Sequence, residues 1–279
     1  MKKSTVRILH YIILCLIALI MLLPMIWMTL SSLRSQDEIF KFSHLSWHLF
    51  FPVHWTLQNY IDIFLDKENP FFKYLINTFF VSLTVTVIGV FVNSMTAFAF
   101  AKMNVPYKRL LFILFLSTLA IPYEVIMIPQ FLIIKNLHWI NSFKALIIPQ
   151  IVWAFGIFLL YQFFKEIPKD IIESAKMDGA SWFRIYITII IPLAIPALLT
   201  LAIITFVAQW DSFLWPLIVI NDDTKQVINI GISSYSSLEG ISWGEIFAAS
   251  TISSLPIVIA FLFLQKHYVK GVMNSGVKG

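Results

Sequence analysis

Long apolar runs alternate with short charged segments along this chain. Arg7 and Arg34 enclose 26 uncharged residues (8–33), Lys73 and Lys102 enclose 28 (74–101), and Arg184 and Asp211 enclose 26 (185–210). Lys144 to Lys165 and Glu245 to Lys266 each enclose 20 (145–164 and 246–265), and residues 110–134 form a run of 25 broken by one carboxylate, Glu124. About 20 apolar residues at 1.5 Å rise cross a hydrocarbon core about 30 Å thick. The pattern predicts one all-α, polytopic membrane domain over residues 1–279, with six transmembrane helices at these positions. The first run exceeds the roughly 7–15 apolar residues of a signal peptide, and no small-x-small site follows it before Arg34, so it reads as an uncleaved span. Cys15 lies within it and is expected to be a buried thiol with no disulfide partner.

Composition agrees. The 279 residues are 59% hydrophobic and 13% charged, whereas a soluble domain is about half apolar and a quarter charged. Charge then orients the spans, because Lys and Arg concentrate in cytoplasmic loops. With the N-terminus inside, the internal segments hold 13 Lys and Arg and the external loops 7; the net charges are +9 inside and −3 outside. Both termini are thus expected in the cytoplasm, in a multi-pass membrane protein. The basic balance follows from topology and implies no nucleic-acid partner.

The external loop 34–73 mixes Trp47, Trp55 and Phe50-Phe51 with acids; it fits either an interfacial segment or a small packed cap. The external loop 211–245 predicts a turn and a surface helix. Pro24, Pro122, Pro129, Pro149, Pro196 and Pro256 fall inside spans, where each is expected to kink its helix.

The internal segment 165–191 is the most structured of the polar stretches. Pro168 suits the first turn of a helix, and Asp170 and Glu173 are expected in that turn, facing the positive end of the helix dipole. Gly179 suits a left-handed helix stop, and Ser181 can cap a second helix that runs through Pro192 into the fifth span. Ala175 and Ala180 are small enough to admit a partner helix. By shape alone this hairpin fits either a docking surface or a segment lying on the bilayer.

The order Glu173-Ser174-Ala175, three residues, Gly179, nine residues, Ile189, one residue, Ile191-Pro192 resembles the coupling motif of ATP-binding-cassette importer permeases: Glu-Ala-Ala, three residues, Gly, nine residues, Ile, one residue, Leu-Pro. Ser174 and Ile191 depart from it modestly. Asn77-Thr78-Phe79-Phe80-Val81-Ser82, the Thr96–Lys102 stretch, Ile121–Gln130, Trp210-Asp211-Ser212-Phe213-Leu214-Trp215-Pro216 and the tail from Gln265 to Gly279 extend the resemblance over nearly the whole chain. It is similar to the second permease subunit of the maltose-type, carbohydrate-uptake branch.

That resemblance implies the type I importer permease fold, a place in the bacterial plasma (inner) membrane, and a transmembrane subunit forming half of the translocation pathway for a sugar, in particular an oligosaccharide. It implies a heterodimer with a second homologous permease, two cytoplasmic ATPase subunits and an extracytoplasmic sugar-binding protein. ATP and Mg would be bound by the ATPase, and this chain would hold no cofactor, metal or catalytic residue. Glu173, Ser174, Ala175, Asp178, Gly179, Ala180 and Pro192 would form the ATPase-coupling site. The tail from Lys266 resembles tails that reach toward the ATPase; a mobile basic tail is the other reading.

Polar groups in or near spans are candidates for the substrate pathway: Asn77, Asn93, Glu124, Gln150 and Gln209, with Trp210, Asp211 and Trp215 close together in sequence. Amides in spans commonly hydrogen-bond across helices, and in this family the sugar site often draws mainly on the partner permease. An ion-coupled secondary transporter is the alternative; it would ordinarily show several intramembrane carboxylates or paired inverted halves. Sequence signatures of hydrolases and metalloenzymes are missing, and the six histidines are scattered, only His44 and His48 sharing a helical spacing.

Overall fold

The computed structural model describes the backbone of residues 3–41, 46–237 and 240–276, and side chains within 7–41, 46–236 and 240–263. His44, Val277–Gly279 and the side chains of the tail from Lys266 lie outside the described residues. The helices in order are α1 (Lys3–Ser31), α2 (Gln36–Ile39), α3 (Trp47–Phe50), α4 (Gln58–Leu65), α5 (Phe71–Lys102), α6 (Lys108–Ser117), α7 (Tyr123–Asn136), α8 (Phe143–Ile147), α9 (Ala154–Glu166), α10 (Lys169–Met177), α11 (Trp182–Ile185), α12 (Ile191–Leu193), α13 (Ile195–Trp210), α14 (Leu214–Val219), α15 (Ile228–Ser234) and α16 (Trp243–Gly276). Short 3₁₀ turns and one π-helical turn, Tyr186–Ile190, join some of them, and β1 (Ser236–Ser237) pairs antiparallel with β2 (Gly240–Ile241).

Among the described residues, four helical segments are long and apolar enough to cross a membrane: Arg7–Ser31, Phe71–Lys102, Phe143–Glu166, which leaves the helix at residues 151–153, and Trp243–Phe263. Two further segments are bent pairs, Lys108–Ala120 with Tyr123–Asn136 at 102° and Trp182–Leu193 with Ile195–Trp210 at 81°. The six apolar runs of the sequence overlie these four segments and two bent pairs. Proline is the cause. Ile121 is pushed to an extended conformation (φ −89, ψ 118) by Pro122, which is itself extended (ψ 138), so the helix restarts at Tyr123. Pro196 has no N–H to give to the carbonyl of Pro192 four residues back, and the chain breaks at Ala194 (φ −99, ψ 6). Kinks were expected at all six prolines. Instead Pro122, Pro149 and Pro196 stand at helix starts, while Pro24, Pro129 and Pro256 lie inside helices.

The chain divides into two compact units: Met1–Phe72 with Ile230–Pro256, and Lys73–Asn229 with Ile257–Gly279. In the first, the loop after α1 folds into a packed cap. Arg34, only 1% exposed, donates through Nη2 to the carbonyls of His48 and Leu49, both at 3.0 Å. Its burial lowers its pKa, and the nearby Glu38 charge opposes that shift. Buried Glu38 accepts from the amides of Val53 (2.6 Å) and His54 (3.2 Å). Asn59 donates to the carbonyls of Ser32 (2.8 Å) and Arg34 (2.7 Å). Loops this long must satisfy their backbone groups internally once buried, and these side chains do it. Cys15 departs from expectation: it is exposed, because no part of the apolar stretch of α1 is buried within this chain.

The second unit packs α5, α9 and α13 with the hairpin. Its core includes Phe98, Ile157, Leu160, Phe164, Ile185 and Leu201. Ser94 and Tyr186 share a 2.6 Å hydroxyl–hydroxyl hydrogen bond inside it. The external stretch after α13 carries two helices, α14 and α15, where the sequence suggested one.

Candidate functional site

Two sites emerge in the second unit: the polar hairpin and a cavity lined by aromatic and amide side chains.

The hairpin begins where α9 ends. Lys102, at the C-terminus of α5, donates to the carbonyls of Ile167 (2.5 Å) and Lys165 (3.4 Å), satisfying groups that the end of a helix leaves without partners. Pro168 caps α10, with Asp170 in its first turn. Glu173 lies one turn further on than expected and is exposed. The stop at Gly179 is a Schellman motif. Gly179 takes φ +78, its amide donates to Lys176 (3.0 Å), and the amide of Ala180 reaches back to Ala175 (2.9 Å). Asp178 holds the C-cap position (φ −75, ψ 4). Ser181 then accepts from the Arg184 amide at 3.2 Å and starts α11, while the Lys176 ammonium sits 3.5 Å from the Trp182 ring centroid. Only Ile172 of α10 is buried; Ala175 and Ala180 are half-buried against the core, and Ser174 bonds back to the Asp170 carbonyl (2.7 Å). Pro192 is exposed on α12, and the helix from α11 turns at Ala194 instead of continuing straight into α13. Glu173, Met177 and Phe183 are left facing outward, the last two 83% and 60% exposed.

The cavity has a volume of about 500 Å³. Tyr123 comes from the start of α7, Gln150 from the end of the 3₁₀ turn Ile148–Gln150, and Val152 and Trp153 from the non-helical step before α9. Thr205 and Gln209 come from α13, and Asp211, Ser212, Phe213 and Trp215 from the turn into α14. Asn93 sets the step before α9: its carboxamide donates to the Ile151 carbonyl and accepts from the Trp153 amide, both at 3.0 Å. A Cβ at Gly89 would stand 3.2 Å from that same Ile151 carbonyl, so glycine lets α5 approach it closely. Trp215 is fixed by donation from its indole N–H to the Ala145 carbonyl (2.9 Å). Asn141 (φ 60) accepts from the amides of Asn221 and Asp222, holding the end of α14. Burial raises the pKa of Asp211 at the cavity mouth.

The candidates read from the sequence therefore separate. Gln209, Asp211 and Trp215 meet in the cavity with Gln150. Asn77 donates to the carbonyls of Thr224 (3.2 Å) and Gln226 (2.9 Å), and Asn93 braces the step before α9; both amides are engaged with backbone. Trp210 is 1% exposed and its carbonyl accepts from Asn229 (3.1 Å). Glu124 is exposed in the first turn of α7 and does not line the cavity. Sequence reasoning missed Tyr123, Trp153, Thr205, Ser212 and Phe213. A tryptophan just after Pro149 was a local signal for Trp153; Thr205 looked like any hydroxyl in an apolar run. Asn93→Ala strands one backbone carbonyl and one amide, each costing about 1–3 kcal/mol if buried. The expected result is a lower thermal unfolding midpoint in detergent, and an unchanged midpoint would mean that water replaces Asn93 freely.

Comparison with known proteins bears on both sites. The pattern of the family described as "Binding-protein-dependent transport system inner membrane component" matches residues 86–274, which include the hairpin and all the residues that line the cavity. The arabinooligosaccharides transport system permease protein AraQ of Bacillus subtilis is 32% identical over 276 residues, covering 99% of this chain and 97% of that protein. The trehalose/maltose transport system permease protein MalG of Thermococcus litoralis is 33% identical, covering 98% and 97%. In fold, the chain matches a solved bacterial ABC transporter involved in import of the acidic polysaccharide alginate, with a TM-score of 0.82 at 22% identity, over 96% of this chain and 99% of that one. The chain belongs to the binding-protein-dependent transport system inner membrane component family, as a non-catalytic membrane permease subunit that acts with other subunits of an ABC importer.

Proposed function

We propose that this permease carries a carbohydrate, in particular an oligosaccharide, and that the 165–191 hairpin is where a cytoplasmic ATPase grips it. The observation that carries the reading is the Schellman-closed hairpin. It is a rigid polar turn with one buried anchor, Ile172, and with Glu173, Met177 and Phe183 turned outward. A surface-lying amphipathic helix would need no such fixed turn, whereas docking benefits from a preorganised one. Relatives named for arabinooligosaccharide, trehalose/maltose and diacetylchitobiose transport support the cargo class. In this reading a second homologous permease completes the pathway, two ATPases bind ATP and Mg, and an extracytoplasmic binding protein delivers the sugar. The hairpin and both termini are cytoplasmic, and the six spans follow the apolar runs at 8–33, 74–101, 110–134, 145–164, 185–210 and 246–265. Membership of the importer family displaces the ion-coupled alternative.

Affinity purification of the tagged chain from its native membrane tests this. An ATPase subunit is expected to co-purify. Glu173→Lys is expected to weaken that association by about tenfold or more, since truncating or reversing a close interfacial charge costs about 2–5 kcal/mol. Recovery of an active importer without any ATPase would sink the proposal.

A further inference from the structure

We infer that this chain supplies its own subsite for an uncharged sugar ring, in the cavity between the start of α7, the Ile151–Trp153 step and the α13–α14 turn. The inference rests on the sugar-permease reading and narrows it: the pathway would be read by this subunit as well as by its partner permease, and the cargo would be neutral.

Three features of the cavity converge. The first is aromatic. Tyr123, Trp153, Phe213 and Trp215 line it; the Trp215 indole is fixed by its bond to Ala145, and the backbone that carries Trp153 is fixed by Asn93. Preset ring faces cover the C–H face of a pyranose or furanose with little ordering cost.

The second is polar and unspent. Thr205 is 5% exposed, lines the cavity, and its hydroxyl has no partner among the described residues. A buried hydroxyl without a partner is costly to leave unbonded, and a ligand hydroxyl reaching it would supply the missing bond. Gln150 spends one N–H on the Tyr123 hydroxyl (3.1 Å), leaving its carbonyl and second N–H for a ligand. Gln209 adds a second amide on the same helix face as Thr205, four residues on.

The third is charge. Among the described residues, Asp211 is the one charged residue in the lining, which holds no lysine, arginine or histidine. A carboxylate accepts from two neighbouring sugar hydroxyls at once. It repels a uronate or a sugar phosphate, and nothing in the lining answers that repulsion. The volume of about 500 Å³ lies within the roughly 300–1,000 Å³ of small-molecule sites.

The test uses the complete importer in membrane vesicles, with radiolabelled maltotriose and arabinotriose as neutral probes and trigalacturonate as the anionic one. Uptake of a neutral probe and exclusion of trigalacturonate are expected. Trp153→Ala is expected to raise the KM for the neutral probe about tenfold or more, equivalent to about 1.4 kcal/mol, with Trp153→Phe staying within about threefold of wild type. Thr205→Val, which keeps the shape and removes the hydroxyl, is expected to raise it about five- to tenfold. Co-purification of the ATPase with each variant reports assembly. An unchanged KM in both Thr205→Val and Trp153→Ala, or preferred uptake of trigalacturonate, overturns the subsite while leaving the ATPase-coupled permease in place. Failure to move any of the three saccharides, with the ATPase bound, overturns the sugar reading beneath it.

Discussion

Gly179→Val is expected to cut ATP-driven uptake about tenfold or more while leaving the chain folded and inserted. Gly179 sits at φ +78, and a Cβ there would meet nothing within 4 Å. The penalty is therefore conformational and not steric crowding against a neighbour. A left-handed L-residue costs about 1–2 kcal/mol, and a β-branched side chain is the worst fit for that region. The Schellman bonds from Gly179 to Lys176 and from Ala180 to Ala175 would loosen, and the outward set of Glu173 and Met177 with them. Because Ile172 is the one fully buried residue of α10, with Ala175 half-buried beside it, the damage stays in the hairpin. Asparagine tolerates this conformation, so Gly179→Asn should transport close to wild type, with Gly179→Ala between the two. Uptake and ATP hydrolysis measured together in proteoliposomes would check the series. Equal uptake by the valine and asparagine variants would remove the turn from the coupling mechanism.

Gly244→Ala should give the largest loss of stability of any single methyl added to the cap. The new Cβ would stand 2.7 and 2.8 Å from the Cγ and Nδ2 of Asn59, inside any real contact distance. Asn59 cannot simply step aside, since its amide holds the carbonyls of Ser32 and Arg34 at the end of α1. Overpacking costs about 1–3 kcal/mol, and releasing those buried carbonyls costs about 1–3 kcal/mol more. The amide of Gly244 also donates to Gln36 (3.1 Å), so the start of α16 is tied to the same network. A thermal midpoint in detergent lower by several degrees is expected. The double variant Asn59→Ala with Gly244→Ala should lose less than the sum of the two single changes, because both act on one contact. A Gly244→Ala midpoint equal to wild type would mean that the Asn59 bonds contribute nothing.

What could be read ahead of the coordinates followed from rules local in the chain. Apolar runs of 20 to 28 residues marked where the long apolar helices and bent pairs lie, because backbone polar groups in lipid must bond within their own helix. Gly179 and Ser181 announced the hairpin, because a left-handed stop and an N-cap depend on one residue each. The prolines marked discontinuity but not its size. Pro129 and Pro122 look alike in sequence, yet one lies within α7 and the other at a 102° break, since packing decides whether a helix resumes its direction.

The cavity and the cap were decided by tertiary structure alone. Asn93 and Gln209 are equivalent as amides in apolar runs; only the fold puts one against the backbone of Ile151 and Trp153 and the other on the cavity wall. Arg34 counted as a loop cation in the charge pattern, and folding buried it beneath the carbonyls of His48 and Leu49, fourteen and fifteen residues on. Periodicity and turn chemistry act over a few residues and are written along the chain. A cavity wall built from α7, the step before α9, α13 and α14 depends on which surfaces meet. That is a property of packed three-dimensional neighbours, and no linear spacing encodes it.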